Sequence, residues 1–260
     1  MFDVDQFKKA LNTRWVGHEL QYFERLDSTN SYLRSVSGEE ISHGMVCLAD
    51  NQLKGRGQYE RNWESSPGEN LTFTIAFKPG RAERLHVLTL ACAYAATALI
   101  EHNTPQKASI KWPNDVLIGN RKIAGVLTET VFSGNSLDRV LVGIGFNVNQ
   151  DLFRDDLKEH ATSLKLENGT SFSRELLLAE FIGLIEHCYT RWHQNDTDLL
   201  RSVNQKLIGY GEWIRLSIDG HTRSDRYKLL GINEKGRLTV INHEAEVKTF
   251  SYEQIRLITD

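Results

Sequence analysis

The chain has 260 residues, 40% hydrophobic and 25% charged, the usual balance of a globular protein with one or two domains. Its net charge of −3 excludes the overall basic field expected of a nucleic-acid-binding protein. Three widely spaced cysteines, Cys47, Cys92 and Cys188, give neither a disulfide framework nor a zinc pattern. The acidic N-terminus lacks the apolar segment of a signal peptide, and the apolar run Leu85–Ile100 is too short to span a membrane. These features predict a cytoplasmic protein that binds no membrane.

The predicted elements of the first part of the chain favour an α+β fold. Apolar and alternating runs predict strands over Leu20–Phe23, Met45–Ala49, Leu71–Phe77, Ala108–Trp112 and Arg139–Val148. A hairpin is predicted around Gly119 and Asn120, which separate the runs 116–118 and 122–127. Helices are predicted over Phe2–Asn12, Leu85–His102 and Ser173–Gln194, the last with Ser173 as its N-cap.

A change in composition near Gly209 predicts a second, smaller domain. The short alternating runs that follow are Trp213–Ile218, Tyr227–Ile232, Arg237–Ile241 and Ala245–Phe250. Their spacing, with glycine or asparagine between most of them, predicts a β-barrel of about 50 residues. We therefore expect a mixed or antiparallel central sheet packed with helices in residues 1–208, and the barrel in residues 209–260.

The most informative segment is the glycine-rich loop Lys54–Trp63, which lies between two predicted strands. Gly55 and Gly57 let the backbone turn tightly and point its N–H groups at one place. Arg56 and Arg61 add positive charge around that place. A solvated surface loop is the alternative, because Gly-x-Gly alone is a weak signal. If the loop binds a ligand, the expected ligand is an anion such as a phosphate.

A second group of polar residues follows the fourth predicted strand, in the sequence Lys-Trp-Pro-Asn-Asp at positions 111–115. Pro113 ends the strand because it has no backbone donor. Asn114 and Asp115 are typical of a simple turn. The functional alternative is that Lys111 and Asp115 flank a polyanion and its Mg²⁺.

Two further strands carry residues that packing alone does not require. Lys122 can extend to solvent, or it can meet a carboxylate and a phosphate together. Gly125, Gly143 and Gly145 lie inside predicted strands, where glycine indicates the close approach of a backbone or a ligand. Asn147 can recognise an amide-like edge such as that of adenine. A core strand softened by glycine explains the same pattern equally well.

The remaining polar signals are weaker. Ser28, Thr29 and Asn30 form an N-cap cluster by pattern. The nine histidines show no metal-binding spacing, and the chain has no Gly-x-Ser-x-Gly element. No cysteine has a recognisable activating context.

Taken together, these motifs resemble the biotin–protein ligase family, in its short form without the DNA-binding domain. The resemblance extends from about Leu20 to the C-terminus. It rests on four motifs in order: Gly55-Arg56-Gly57 with Arg61 and Trp63, then 111–115, then Lys122 with Ala124-Gly125, then 143–147. The run that begins at Gly209 resembles the SH3-like barrel of that family.

The resemblance implies a set of binding residues. On the biotin side it implies Ser28, Thr29, Asn30 and Gln52. For the loop over biotin and the adenylate it implies Gly55, Arg56, Gly57, Gln58, Arg61 and Trp63. In the family's best-known bacterial pattern an arginine occupies the position of Gln58, so this loop carries less positive charge.

The resemblance also implies the catalytic set, which is Lys122, Arg56, Lys111 and Asp115. Lys122, beside Gly125, would lie against the biotin carboxylate and the reacting phosphate. Lys111, Asn114 and Asp115 would lie near the ATP phosphates, with Asp115 as a ligand of Mg²⁺. Asn147 would contact adenine.

The implied activity is an ATP-dependent ligation in two steps, through biotinyl-5′-AMP, onto a lysine of a biotin carboxyl carrier domain. Biotin, ATP and Mg²⁺ are the implied small molecules, and edge strands of the central sheet can pair in a homodimer. Two alternatives stay open: a lipoate–protein ligase of the same fold, and a non-catalytic biotin or nucleotide sensor. Only about 20 residues precede the first predicted strand, which is too few for a DNA-binding domain, so no nucleic-acid partner is expected.

Overall fold

A computed structural model describes residues 1–58, 62–80, 82–218, 221–251 and 255–258. A seven-stranded sheet forms its centre, in the order β1-β2-β3-β7-β6-β5-β4. Its strands are β1 (Leu20–Phe23), β2 (Met45–Ala49), β3 (Leu71–Phe77), β4 (Ala108–Lys111), β5 (Asp115–Ile118), β6 (Arg121–Ser133) and β7 (Ser136–Phe146). β1 pairs with β2 in parallel, and the other neighbours are antiparallel, so the predicted mixed sheet is confirmed.

Helices cover both faces of this sheet. They are α1 (Val4–Ala10), α2 (Thr29–Ser35), α3 (Leu85–Asn103), α4 (Leu164–Asn168), α5 (Arg174–His193) and α6 (Thr197–Lys206), with a short 3₁₀ turn at Gly38–Glu40. Successive residues of β3 show the two faces, because side chains alternate along a strand. The Phe73 ring packs on Phe181 of α5, whereas the Thr74 hydroxyl contacts Thr29 of α2. The short helix α2 therefore covers the face of the sheet that carries Thr74, and its small size leaves room there for a ligand.

Helix α3 is long and apolar enough, by length and composition, to cross a membrane. It is nevertheless 67% buried inside the protein over that window, where it packs against α5 and the central sheet. This burial explains its lack of a polar face and confirms the prediction of a core helix.

The C-terminal part forms a separate five-stranded antiparallel sheet in the order β11-β10-β9-β8-β12. Its strands are β8 (Trp213–Ile218), β9 (His221–Ile232), β10 (Leu238–Ile241), β11 (Val247–Phe250) and β12 (Ile255–Ile258). A closed SH3-like barrel is not confirmed, because β11 and β12 are edge strands among the described residues. The turn after β9 contacts the larger part, where the Trp112 indole N–H donates to the Gly236 carbonyl at 3.3 Å.

Several element boundaries differ from the sequence prediction. The fourth strand ends at Lys111, so Trp112 lies in the following turn. β6 continues to Ser133 and β9 begins at His221, because each is held by a long antiparallel partner that local polarity does not reveal. The helices α4 and α6 and the last strand β12 were not predicted.

Candidate functional site

Three strand glycines form the floor of a slot on the α2 face of the sheet. Gly125 of β6 pairs with Gly145 of β7, and Gly143 lies two residues before Gly145 on the same face. A Cβ at Gly143 would lie 2.2 Å from the Asn30 Oδ1 atom, and a Cβ at Gly145 would lie 2.1 Å from the Trp63 ring. The close approach predicted from these glycines is therefore made by two side chains of the predicted site.

A chain of four buried or half-buried polar side chains lies at one end of the slot. Gln52 Oε1 accepts from the backbone N–H of Thr29 at 2.8 Å and lies 3.0 Å from its hydroxyl. The Thr74 hydroxyl lies 2.7 Å from the Thr29 hydroxyl and 2.5 Å from Asn30 Oδ1. The neighbouring Ser28 caps α2 and is also buried. The structure thus brings the predicted residues 28–30 and Gln52 together.

This chain has fewer protons than acceptors. Three oxygen–oxygen contacts run from Gln52 through Thr29 and Thr74 to Asn30, but only the two threonine hydroxyls can donate. The Asn30 amide does not supply the third proton, because its Nδ2 donates to Glu129 at 2.7 Å. One contact is therefore left without a hydrogen, and the chain is complementary to a ligand that brings N–H donors.

Trp63 and Lys122 lie together at the middle of the slot. The Lys122 ammonium is 5.5 Å from the centroid of the Trp63 ring, which is within cation–π range, and 2.6 Å from Asp115 Oδ1. A Cβ at Gly125 would lie 3.2 Å from the Lys122 Nζ atom, so glycine gives the ammonium room on the floor of the slot. Lys122 and Asp115 are neighbours, and each side chain is about a third exposed.

Asn147 lies at the far end of the slot and is 4% exposed. Its Nδ2 donates to the Thr162 carbonyl at 3.0 Å, which fixes the direction of the amide. Its Oδ1 is buried with no partner, as is the Trp63 indole N–H. These two atoms and the Thr239 hydroxyl are the unpartnered buried side-chain atoms found among the described residues. Buried polar atoms are normally paired, so an acceptor and a donor left unpaired in one slot indicate a ligand.

A single segment supports both Asn147 and Lys122. The Lys122 backbone N–H donates to the His160 carbonyl at 2.7 Å, and its carbonyl accepts from the Thr162 N–H at 2.9 Å. Because the Thr162 carbonyl also holds Asn147, residues 160–162 set the relative positions of the predicted lysine and asparagine.

The hairpin of β4 and β5 places Lys111 opposite Asp115. The Asn114 amide donates to the Val126 carbonyl at 2.9 Å, and its backbone N–H donates to the Lys111 carbonyl at 3.3 Å. Asn114 is therefore committed to the turn, which is the simpler of its two sequence interpretations.

The glycine-rich loop is tied to the slot at both ends. The Trp63 N–H donates to the Gly55 carbonyl at 2.9 Å, and Arg56 Nη2 lies 3.2 Å from the Ser31 hydroxyl and 3.3 Å from Glu129 Oε2. Gln58, which follows Gly57, lines a neighbouring cavity of about 760 Å³. That cavity is also bordered by the start of α3, the Trp112–Pro113 turn and residues 235–237. Arg61 lies outside the described residues.

The predicted Mg²⁺ site has a single protein carboxylate. Within the described part of the chain, no cluster of three histidine, cysteine, aspartate or glutamate side chains could hold a metal. Mg²⁺ often binds through one or two carboxylates together with substrate phosphates and water. Asp115, beside Lys122, fits that arrangement and remains the predicted ligand.

Two residues that the sequence analysis did not select join the site. Thr74 links Thr29 to Asn30, and Glu129 contacts Asn30 and Arg56. Both were detectable in principle. Thr74 is a polar residue in a fully buried strand, and Glu129 is a charged residue inside a long one.

Comparisons with known proteins show which family the chain resembles. Residues 22–147 match the model of the biotin/lipoate A/B protein ligase family. The bifunctional ligase/repressor BirA of Bacillus spizizenii is 30% identical over 95% of this chain and 76% of its own length. The biotin–[acetyl-CoA-carboxylase] ligase of Paracoccus denitrificans is 33% identical over 66% of this chain and 72% of its own.

Among solved structures, the biotin protein ligase of Aquifex aeolicus in complex with biotin and ATP superposes with a TM-score of 0.81. It is 29% identical and matches 94% of this chain and 100% of that one. The chain therefore belongs to the biotin/lipoate A/B protein ligase family, among its biotin–protein ligases.

Proposed function

We propose that the protein is an ATP-dependent biotin–protein ligase. In the first step a biotin carboxylate oxygen attacks the α-phosphorus of ATP, giving biotinyl-5′-AMP and pyrophosphate. In the second step the amine of a lysine on a biotin carboxyl carrier domain attacks the acyl carbon. The lysine becomes an amide, AMP leaves, and the amine loses a proton.

The hydrogen-bonded side chains from Gln52 to Asn30, which are one proton short, are the feature that favours biotin over lipoate. The ureido ring of biotin has two N–H donors and a carbonyl, whereas the dithiolane ring of lipoate has no donor. The N–H groups would complete the acceptors in the slot, and the nearby Ser28 hydroxyl can donate to the ureido carbonyl. A dithiolane would leave those buried acceptors unpaired, at a cost of about 1–3 kcal/mol each.

The first step joins two anions, so positive charge must offset their repulsion. Lys122 lies at the middle of the slot, Arg56 lies on the glycine-rich loop, and Lys111 lies on the hairpin opposite Asp115. Such preorganised charges stabilise the charge that develops in the transition state. When bound, Mg²⁺ at Asp115 would add Lewis-acid stabilisation of the phosphates.

The nucleotide base fits the far end of the slot. The Asn147 amide is fixed with its oxygen as a vacant acceptor, which suits the exocyclic amine of adenine. A 6-oxo purine would instead present an oxygen to that oxygen. We therefore expect ATP to be preferred over GTP as the nucleotide substrate.

The decisive experiment incubates the protein with biotin, ATP, Mg²⁺ and a purified carrier domain, and then measures biotin on the carrier by intact mass. Carrier whose mass rises by one biotinyl group supports the proposal. A parallel arm replaces biotin with lipoate. Lipoate transfer at an equal or higher rate would overturn the assignment, and adenylate binding with no transfer to any carrier would favour the sensor.

Thr74 tests the basis of this selectivity. Thr74→Val keeps the shape of the side chain but removes a hydroxyl from the chain between Thr29 and Asn30. Since a hydrogen bond contributes about 0.5–1.5 kcal/mol net, we expect the Kd for biotin to rise about three- to tenfold. Titration calorimetry measures this change. Thr97→Val is the matched control, since Thr97 is a fully buried threonine of α3 outside the slot. An unchanged biotin Kd in Thr74→Val would contradict the proposed recognition.

Gly145→Ala tests the close contact with Trp63. The new Cβ would lie 2.1 Å from the ring, so the loop must move away. Overpacking of this kind costs about 1–3 kcal/mol, which predicts a roughly 5- to 150-fold weaker affinity for biotinyl-5′-AMP. Gly183→Ala is the control, because its nearest atom is the Asn12 carbonyl oxygen at 4.0 Å. Equal adenylate affinity in both variants would show that the contact has no role in binding.

We also propose the finer points that the resemblance implies. The catalytic part corresponds to residues 1–208, and residues 209–260 correspond to an SH3-like module. The protein acts in the cytoplasm on a biotin carboxyl carrier domain and binds no nucleic acid. A homodimer through an edge of the central sheet is testable by sedimentation.

A further inference from the structure

Glu129 lies at the centre of an ion-pair cluster beside the slot. Its Oε1 is 3.0 Å from Arg34 of α2, and its Oε2 is 3.3 Å from Arg56 of the glycine-rich loop. The same Oε2 accepts from the Asn30 amide at 2.7 Å. The Glu129 side chain is 20% exposed, compared with 43% for Arg56 and 44% for Arg34. One carboxylate on the sheet therefore connects the loop, helix α2 and a ligand-binding residue.

We propose that Glu129 is a positioning residue that fixes the loop across the mouth of the slot. Arg56 extends from the loop to α2, since its guanidinium also contacts the Ser31 hydroxyl at 3.2 Å. The ion pair with Glu129 joins this side chain to β6, the strand whose Gly125 forms part of the floor. The pair therefore attaches the loop to the sheet beside α2.

Arg34 pairs with Glu129 independently of the loop. A carboxylate that lost every cationic partner would be left partly buried and uncompensated, which is electrostatically unfavourable. Arg34 occupies the other oxygen and does not belong to the loop. Arg34 thus neutralises the Glu129 charge whether or not Arg56 is bound, so the Arg56 pair can open and close. The contact to Asn30 also fixes the amide that leaves the recognition chain short of a proton.

The consequence for the reaction rests on the proposed function. Biotinyl-5′-AMP is a mixed anhydride, and water attacking its acyl carbon gives biotin and AMP without modifying a carrier. A loop fixed over the slot keeps water from that carbon until the carrier lysine arrives. Gln58 provides less charge than an arginine at its position, so the loop depends more on the Arg56–Glu129 pair.

The test compares Glu129→Gln with Arg34→Gln. Glu129→Gln keeps the length of the side chain and an acceptor for Asn30 but removes the ion pair. Two readouts are used. The first is amide hydrogen exchange of residues 54–56 in the ligand-free protein. The second is AMP release in the presence of biotin, ATP and Mg²⁺ without a carrier. Since partly exposed ion pairs are weak, we expect Glu129→Gln to raise the amide exchange rate and the AMP release rate about threefold. Arg34→Gln should leave both rates unchanged, because Arg34 contacts Glu129 Oε1 whereas Arg56 of the loop contacts Oε2.

Arg56→Gln removes the same pair from its exposed end and replaces Glu129→Gln if that variant unfolds. It should increase exchange at residues 54–56 to the same extent. Exchange as slow as in the wild type would overturn the proposal, as would an equal increase in Arg34→Gln. The exchange readout needs no chemistry, so it decides the role of Glu129 even if the wild type forms no adenylate. A wild-type protein that forms no adenylate would instead refute the ligase function.

Discussion

Lys122→Ala is expected to lower the rate of biotin-dependent ATP–pyrophosphate exchange by about 100- to 1,000-fold, the usual effect of removing one preorganised donor to a developing charge. Lys122 is held by residues 160–162 through its backbone and by Asp115 through its ammonium. No other cation in the described part of the chain approaches the Trp63 ring within cation–π range. The loss should therefore appear in kcat more than in the KM for biotin.

Lys165→Ala is the matched control for this substitution. Lys165 also forms an ion pair with an aspartate, Asp151, and its side chain is 33% exposed, close to the 36% of Lys122. It lies at the start of α4, away from the slot. Exchange should be unchanged in Lys165→Ala. An equal loss in both variants would show that lysine removal acts through general electrostatics or folding.

The second large effect is expected at a buried ion pair below the site. Arg174 Nη1 lies 2.5 Å from Asp50 Oδ1, and the two side chains are only 7% and 10% exposed. Removing one partner of a buried pair leaves an uncompensated charge, so Arg174→Met should lower the free energy of unfolding by about 3–5 kcal/mol. Urea denaturation measures this loss in the free energy of unfolding. Arg201→Met is the control, since the pair with Asp198 is about 70% exposed and should contribute less than about 1 kcal/mol.

The same pair predicts a pH dependence. Burial alone raises the pKa of Asp50, but hydrogen bonds from Arg174 and Tyr22 outweigh it and hold the pKa below its ordinary 3.8. The folded state therefore binds this proton less tightly than the unfolded state. The stabilisation is complete above about pH 4 and is lost as the pH falls through the lowered value.

At the other end of the scale, burial together with the Asp50 hydrogen bond raises the pKa of Tyr22 to about 12. Its stabilisation is lost as the pH rises through that value.

Arg174→Met should flatten the acid limb of the stability curve. An unchanged acid limb in that variant would contradict the role of the pair.

The sequence predicted most of the central sheet because its strands are locally distinct. Leu20–Phe23, Met45–Ala49 and Leu71–Phe77 have the predicted bounds, since each is an apolar run bounded by polar or turn residues. The end of β6 was missed because residues 128–133 are mixed in polarity and are held by pairing with β7. Short helices such as α6 depend on an N-cap and two apolar positions, which is a weak local signal.

For the site, the sequence predicted which residues matter better than it predicted what each contacts. The glycines at 143 and 145 were identified as places of close approach, and the structure fills those places with Asn30 and Trp63. The pairing of Arg56 with Glu129 joins positions 73 residues apart. Such contacts follow from topology, so no local pattern in the sequence encodes them.

The Trp112–Gly236 hydrogen bond joins residues 124 positions apart and has a consequence for reading natural variation. A Cβ at position 236 would lie 2.7 Å from His86, so this turn cannot bulge without displacing the start of α3. Substitutions in the last fifth of the chain can therefore displace the Trp112–Pro113 turn while every predicted binding residue stays intact. Genetic screens that sort variants by linear position would assign such alleles to the wrong half of the enzyme.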